Sequence, residues 1–316
     1  MSTRNDHGLH GEYYGVGPLD EFPIHQLPRP VAWAGSSDRN FYDRCYLNAH
    51  DRTGDLFLIT GLGFYPNLGT KDAYVLLRRG DEQTGLHLGD AADPRGADRM
   101  DQQVGNYRIE VVEPLRRLRV VLEETEGIAM DLTWEGSFPV VQELPHVMRQ
   151  GSGTTLDAQR FAQVGTWEGV LSVDGTDIAV TPDRWVGTRD RSWGIRPVGE
   201  AAPAGKPADP AFEGMWWLYL PLRFEDFCIV MIIQETPDGF RTLNDCTRTW
   251  KDGRVEQLGW PRVEIRYGSG TRVPTGATVT CTTPEGKELV LEVDSLLPVP
   301  IHVGGDRKST RLNSSH

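Results

Sequence analysis

Short runs in which apolar and polar residues alternate recur along almost the whole chain. Val31–Gly35, Phe41–Ala49, Leu56–Gly63, Ala73–Arg78 and Gly85–Leu88 follow one another closely, separated by Ser36-Ser37-Asp38, Asp51-Arg52-Thr53-Gly54 and Tyr65-Pro66-Asn67. Tyr107–Val112, Leu118–Glu124 and Ile128–Trp134 come next, the last two joined at Glu126-Gly127. A two-residue period sends successive side chains to opposite faces of a strand. Runs of this kind, broken by turn signals about every 8–12 residues, predict an antiparallel sandwich or barrel rather than βαβ units. No segment sustains a helical period, and Asp157–Gln163 reads as one helical turn at most.

After Pro139–Thr155 the pattern restarts. Val164–Val173 and Thr176–Val180 predict a hairpin closed by Asp174-Gly175. A Pro/Ala/Gly loop at Val198–Pro210 precedes further strand candidates: Trp216–Leu222, Phe227–Gln234, Phe240–Trp250, Val255–Leu258, Arg262–Tyr267, Ala277–Thr282 and Glu288–Val293. The two halves rhyme. Glu126-Gly127 followed by Phe138-Pro139-Val140 recurs as Glu285-Gly286 followed by Leu297-Pro298-Val299, and Gly127 and Gly286, like Pro139 and Pro298, stand 159 positions apart. The expected architecture is all-β, with two antiparallel barrel units in tandem at 28–150 and 160–305 behind an irregular arm at 1–27.

The last eleven residues, 306–316 (DRKSTRLNSSH), read as the translation of a common sequencing adapter and are set aside from fold reasoning. On that reading the natural C-terminus is missing, and the second barrel would lack closing material and expose an edge strand.

Composition changes this picture little. Nine Trp, nine Tyr and ten Phe favour strands, and a net charge of -12 disfavours nucleic acid as a partner. Cys45, Cys228, Cys246 and Cys281 have neither zinc-site nor disulfide-scaffold spacing, so reduced thiols are expected. Met1–Pro23 is polar and is not a signal peptide, and the longest apolar run, Phe227–Ile233, is too short to span a bilayer. Together these predict a cytoplasmic protein without stable membrane insertion. His50, His87 and His146 are isolated, and no phosphate-loop, nucleophile-elbow or metal-helix pattern occurs, so no cofactor or metal is expected.

The chemistry concentrates in Trp185-Val186-Gly187-Thr188-Arg189-Asp190-Arg191-Ser192-Trp193-Gly194-Ile195-Arg196-Pro197. So much charge beside large aromatics is costly to bury unless it is paired. Two readings stay open. The arginines and Asp190 form an ion-paired corner, or Arg191 or Arg196 holds a carboxylate, enolate or developing oxyanion that Asp190 helps to orient. Alternation places Trp217, Tyr219 and Pro221 on one face of their strand and Trp216, Leu218 and Leu220 on the other. Tyr42, Tyr46 and Asn48 likewise share a face. Asp72, after Tyr65-Pro66-Asn67, also fits a turn-fixing role.

Asp190-Arg191-Ser192-Trp193-Gly194 early in a second β unit resembles the AttH-type and carotenoid 1,2-hydratase (hydroxyneurosporene synthase) group of lipocalin-like double barrels, an architecture shared by some fungal Diels–Alderases. Tyr65-Pro66-Asn67-Leu68-Gly69-Thr70-Lys71-Asp72-Ala73 is similar to a companion motif of actinobacterial-type members. The resemblance implies a hydrophobic ligand (an isoprenoid, polyketide or lipid), either carried or transformed without a cofactor by acid–base or pericyclic chemistry. It makes Asp190, Arg191 and Trp193 candidate catalytic residues. Arg196, Trp217, Tyr219, Tyr42, Tyr46, Asn48, Tyr65 and Asp72 become candidate ligand contacts. In the hydratase branch a His stands where this chain has Arg191, and a Tyr and an Asp on a following strand donate the proton. Here Trp217 and Tyr219 have no Asp beside them, and a guanidinium cannot donate that proton.

Overall fold

The computed structural model describes residues 18–23, 34–92, 100–150, 153–197, 205 and 214–301. The tail at 306–316, most of the 1–27 arm, most of the predicted strand Val31–Gly35 and nearly all of the loop at 198–210 lie outside them.

Alternating burial carries the first unit. Four ten-residue strands, β1 (Phe41–His50), β2 (Leu56–Tyr65), β3 (Thr70–Arg79) and β4 (Glu82–Ala91), run as an antiparallel meander. A second meander comprises β5 (Gln102–Val104), β6 (Tyr107–Glu113), β7 (Arg117–Thr125) and β8 (Ile128–Gly136). Two short strands, β9 (Val141–Gln142) and β10 (His146–Gln150), precede the 21-residue β11 (Gly153–Val173), followed by β12 (Thr176–Val180) and β13 (Val186–Ile195). β11 and β13 bridge the two meanders in the order β4-β3-β2-β1-β13-β11-β8-β7-β6-β5. β5 comes back against β3 and β4, so the wall nearly closes. Its interior is one apolar core including Leu47, Leu58, Val75, Tyr107, Val120, Leu132, Trp134 and Trp167. At Asp174-Gly175 and at Glu126-Gly127 both turn residues have positive φ, the geometry that two-residue hairpins favour.

The second unit comprises β14 (Trp216–Arg223), β15 (Phe227–Glu235), β16 (Arg241–Trp250) and β17 (Val255–Gln257) in one sheet. A second sheet holds β18 (Gly259–Tyr267), β19 (Pro274–Thr282) and β20 (Glu288–Asp294). Both contribute to one core, which includes Ile229, Met231, Ile233, Val279 and Leu291. Its strands thus divide between two sheets among the described residues. The Glu285-Gly286 turn does join a hairpin, β19–β20, matching β7–β8.

Two expectations are corrected. Asp157–Gln163 is not a helical turn; it lies inside β11, where Asp157–Thr166 pairs residue by residue with β13. Pairing also crosses the expected boundary near 150–160, since β11 and β13 belong to the first sheet. A long strand serves two neighbours along its length, β13 at one end and β8 at the other. The units meet through a smaller core in which Phe138, Val141, Ala162 and Val164 pack against Cys228 and Val230.

Candidate active site

The site lies on the outer face of the first barrel, where β1, β11 and β13 run side by side. In β1 the odd residues Cys45, Leu47 and Ala49 enter the barrel core, so Tyr42, Arg44, Tyr46 and Asn48 face outward. The β1–β13 register sets Tyr46 against Asp190 and Arg44 against Ser192, while β11 sets Arg160 against Ser192 and Ala162 against Asp190. These residues form one polar-aromatic surface. Next to it, β2 places Gly61 opposite Tyr46 and Gly63 opposite Arg44. A Cβ on Gly63 would lie 2.7 Å from Asp72 Oδ1 and 2.8 Å from the Tyr65 hydroxyl, so glycine makes room for both side chains to cross β2.

The same alternation separates the motif's residues. Asp190 faces the site; Arg189, Arg191 and Trp193 take the opposite face. Arg191 donates to Asp43 Oδ1 (2.8 Å) and to Gln102 Oε1, with arginine and aspartate side chains each 3% exposed. Arg189 pairs with Glu21 at 2.6 Å and donates to Gln163 at 2.8 Å. Glu21 comes from the short 3-10 turn Pro18–Glu21, so the N-terminal arm supplies a buried counter-ion. Trp193 lies 6.4 Å, centroid to centroid, from Phe161. Arg191 and Trp193 are therefore corrected as partners of Asp190: with a two-residue period, neighbours one and three positions away point to the other side. Gly194 follows with φ +132°, where a Cβ would meet the Asp157 carbonyl oxygen at 2.0 Å, which explains the glycine closing the motif.

The other candidates gather around Asp190 or line the neighbouring cleft. Arg196 lies over the Tyr42 ring (5.4 Å) and Arg44 over Tyr74 (5.9 Å). Asn48 is a clamp: its amide donates to Thr188 Oγ1 (2.8 Å) and to the Tyr46 hydroxyl (3.2 Å) and accepts from Thr188 N–H (2.9 Å), which joins β1 to β13. Asp72 sits within β3, not in a turn, 3.4 Å from both the Tyr65 hydroxyl and His87 Nε2. The loop-fixing role belongs to Asn67, which donates to the Ser36 and Asp38 carbonyls, each at 2.7 Å.

The second unit supplies the opposing wall. As alternation predicts, Trp216, Leu218, Leu220 and Leu222 pack into the second core, which turns Trp217 and Tyr219 the other way. Trp217 stacks on His146 (5.5 Å, 20°) and Arg160 lies 5.8 Å from its ring. The Tyr219 hydroxyl donates to Glu143 Oε1 at 3.1 Å, and Arg160 Nε stands 3.3 Å from Glu143 Oε2. Glu143 is held by its N–H donating to the Arg160 carbonyl (3.0 Å) just after β9 is pinned to β11. Leu144 N–H donates to Asp245 Oδ2 (3.0 Å) on β16.

Burial dominates the electrostatics. It pushes the Glu143 carboxyl up from its ordinary 4.5 to about 7, with Arg160 pulling the other way and Asp190 adding to the rise. Burial raises Asp190 too, against Arg160, Arg44 and Arg196. Tyr219 is raised well above its usual value by burial and by Glu143. Burial lowers Arg196, and the neighbouring Arg44 adds to the effect. For Arg44 burial works against the charge, but Tyr65, Tyr74, Asp72 and Asp190 more than offset it.

Sequence reasoning missed Arg44, Arg160, Glu143 and His87. Arg44 was legible as an outward position, sharing the face of Tyr42 and Tyr46 on a predicted strand, whereas Arg160 was not, because Asp157–Gln163 reads as a helical turn. Glu143 falls in a segment read only as a junction, with no pattern to mark it. Among the described residues no group of three or more His, Cys, Asp or Glu is placed to hold a metal, and no helix is long and apolar enough to cross a membrane. All four cysteines are free and buried.

A nearly closed antiparallel barrel with further sheets packed on its outer wall defines a lipocalin-like all-β protein. The chain belongs to a family of unknown function, DUF8625, whose model matches residues 16–305. Among solved structures, a proposed AttH protein of Nitrosomonas europaea is similar, with a TM-score of 0.52, 16% identity, and coverage of 77% of this chain and 79% of that one. CghA bound to Sch210972 has a TM-score of 0.51 at 14% identity and covers 86% and 82%. Kievitone hydratase from Nectria haematococca superposes more loosely, at 0.49 and 17% identity over 75% and 72%. At these identities the likeness is one of fold. No curated protein matches the sequence.

Proposed function

We propose that this protein binds a hydrophobic small molecule (an isoprenoid, polyketide or lipid) where the first barrel's outer wall meets the second unit, and transforms it by acid–base chemistry as an isomerase, cyclase or hydratase. The observation that carries this reading is Glu143, a buried carboxyl titrating near neutrality, hydrogen-bonded by Tyr219 and beside Arg160. Such a group is present in both protonation states near pH 7 and can give or take a proton. With Glu143 ionised, Tyr219 donates to it. Once Glu143 is protonated that hydrogen bond can reverse, and Tyr219, too weak an acid alone, then hands its own proton outward as its oxygen takes the one from Glu143. Asp190 offsets part of the charge of the three arginines around it, Arg44, Arg160 and Arg196. The acid that the hydratase resemblance calls for, absent beside Trp217 and Tyr219 in the strand, is supplied in this reading from a different segment.

The test is conversion of a terpenoid and polyketide panel, followed by mass spectrometry, with binding measured separately by native mass spectrometry. Glu143→Gln and Tyr219→Phe are expected to lose on the order of 10²–10⁴-fold in turnover while still binding. Undiminished conversion by Glu143→Gln refutes the assignment. Binding without conversion by the unaltered protein makes it a carrier.

A further inference from the structure

Beside Asp190 the outer wall opens into a cleft of about 300 Å³, with Arg44, Lys71 and Arg196 on its sides and Tyr65, Leu68 and Pro197 as its less polar lining. The arginines of this protein divide into two groups here. Arg189, Arg191 and Arg160 each have a carboxylate oxygen at 2.6, 2.8 and 3.3 Å, respectively. Among the described residues, Arg44 and Arg196 have none within the 4.0 Å of an ion pair. Lys71 is matched by Asp90 at 3.9 Å. Across the shared surface three guanidiniums, Arg44, Arg160 and Arg196, thus face the carboxylates Asp72 and Asp190, with Glu143 partly neutral near pH 7. Positive charge is left over, and at the cleft Arg44, Lys71 and Arg196 outnumber the one carboxylate that lines it, Asp72.

The two guanidiniums are also held in place. Arg196 lies over Tyr42 and Arg44 over Tyr74, contacts that restrain a planar group while leaving N–H edges available. Two such groups repel each other, and burial aggravates that for Arg196. An anion with two oxygens would relieve the repulsion and accept charge-assisted hydrogen bonds from both.

We propose that Arg44 and Arg196 form an anion subsite in this cleft that takes the carboxylate or enolate head of an otherwise apolar small molecule. This rests on the small-molecule reading of the site but not on its catalysis. The substrate class becomes amphiphilic acids rather than neutral hydrocarbons, with the apolar body lying along Tyr65, Leu68 and Pro197.

Fluorescence titration with cis-parinaric acid and with its methyl ester tests this, since the two differ only in the charged head. The acid is expected to bind at least about tenfold more tightly than the ester. Arg196→Gln should bring the acid level with the ester and leave the ester unchanged, and Arg44→Gln should do the same, with circular dichroism confirming the fold. Arg262→Gln, on an exposed strand of the second unit, should change neither. Equal affinities for acid and ester, failure of the acid to bind, or a preference that survives Arg196→Gln overturns the proposal. An acid preference without any turnover removes only the catalytic reading. Turnover dependent on Glu143 without an acid preference removes only the subsite.

Discussion

Replacing Glu143 with glutamine has a predicted effect on stability whose sign depends on which force governs the site. The carboxyl is 2% exposed and 3.3 Å from Arg160 Nε. Were the attraction to Arg160 the stronger force, Gln would leave a buried guanidinium short of a partner and cost about 3–5 kcal/mol. The structure favours the opposite outcome, because burial lifts Glu143 to about 7 in spite of Arg160. The folded protein keeps this proton between pH 4.5 and about 7, where the unfolded chain gives it up. Stability from this group is therefore lost as pH rises through that window, by about 3 kcal/mol once it is crossed. Gln, neutral throughout, avoids the loss and still accepts from Tyr219. The two proteins should be equally stable near the lower end, and Glu143→Gln more stable by about 3 kcal/mol near pH 8. Guanidinium unfolding followed by tryptophan fluorescence, taken as the difference between the two proteins at each pH, cancels every other titrating group. A difference that does not change with pH, or one that turns against Gln as pH rises, refutes the reasoning.

Arg191→Met should deprive the buried Asp43 of its guanidinium and cost about 3–5 kcal/mol in guanidinium unfolding, while turnover per folded molecule is unchanged; Asp43→Leu added to it should recover much of the loss. Asp190→Asn should do the reverse, keeping the fold by circular dichroism and abolishing turnover of any substrate the panel identifies. Gly63→Ala pushes a methyl to 2.7 Å from Asp72 Oδ1, and should weaken cis-parinaric acid binding more than it lowers the melting temperature.

Alternation of apolar and polar residues placed most of the described strands, though not β5, β9, β10, the first half of β11 or β13, and the turn dipeptides Glu126-Gly127 and Asp174-Gly175 marked their hairpins correctly. It also sorted Tyr42, Tyr46 and Asn48 onto one face, and Trp217 and Tyr219 away from Trp216 and Leu218. Applied to β13 it would have parted Asp190 from Arg191 and Trp193 as well. Reading that run as a compact motif obscured this, because nearness in sequence is not nearness of side chains in a strand. The β11 error has another cause: burial along Asp157–Gln163 runs from exposed Asp157 to buried Phe161, Ala162 and Gln163 rather than alternating, so no clean two-residue pattern shows.

The sequence by itself determined that the chain builds strands, where they turn, and which residues share a side, because these follow from backbone geometry repeating every two residues. Only the tertiary structure decided which sides meet. It set β13 between β1 and β11, placed Arg160 next to Asp190, and carried Glu143 under Tyr219 from a stretch with no periodicity of its own. Those pairings join residues tens to more than a hundred positions apart, and whether a charge there is sealed, paired or left facing a cleft depends on what burial brings beside it.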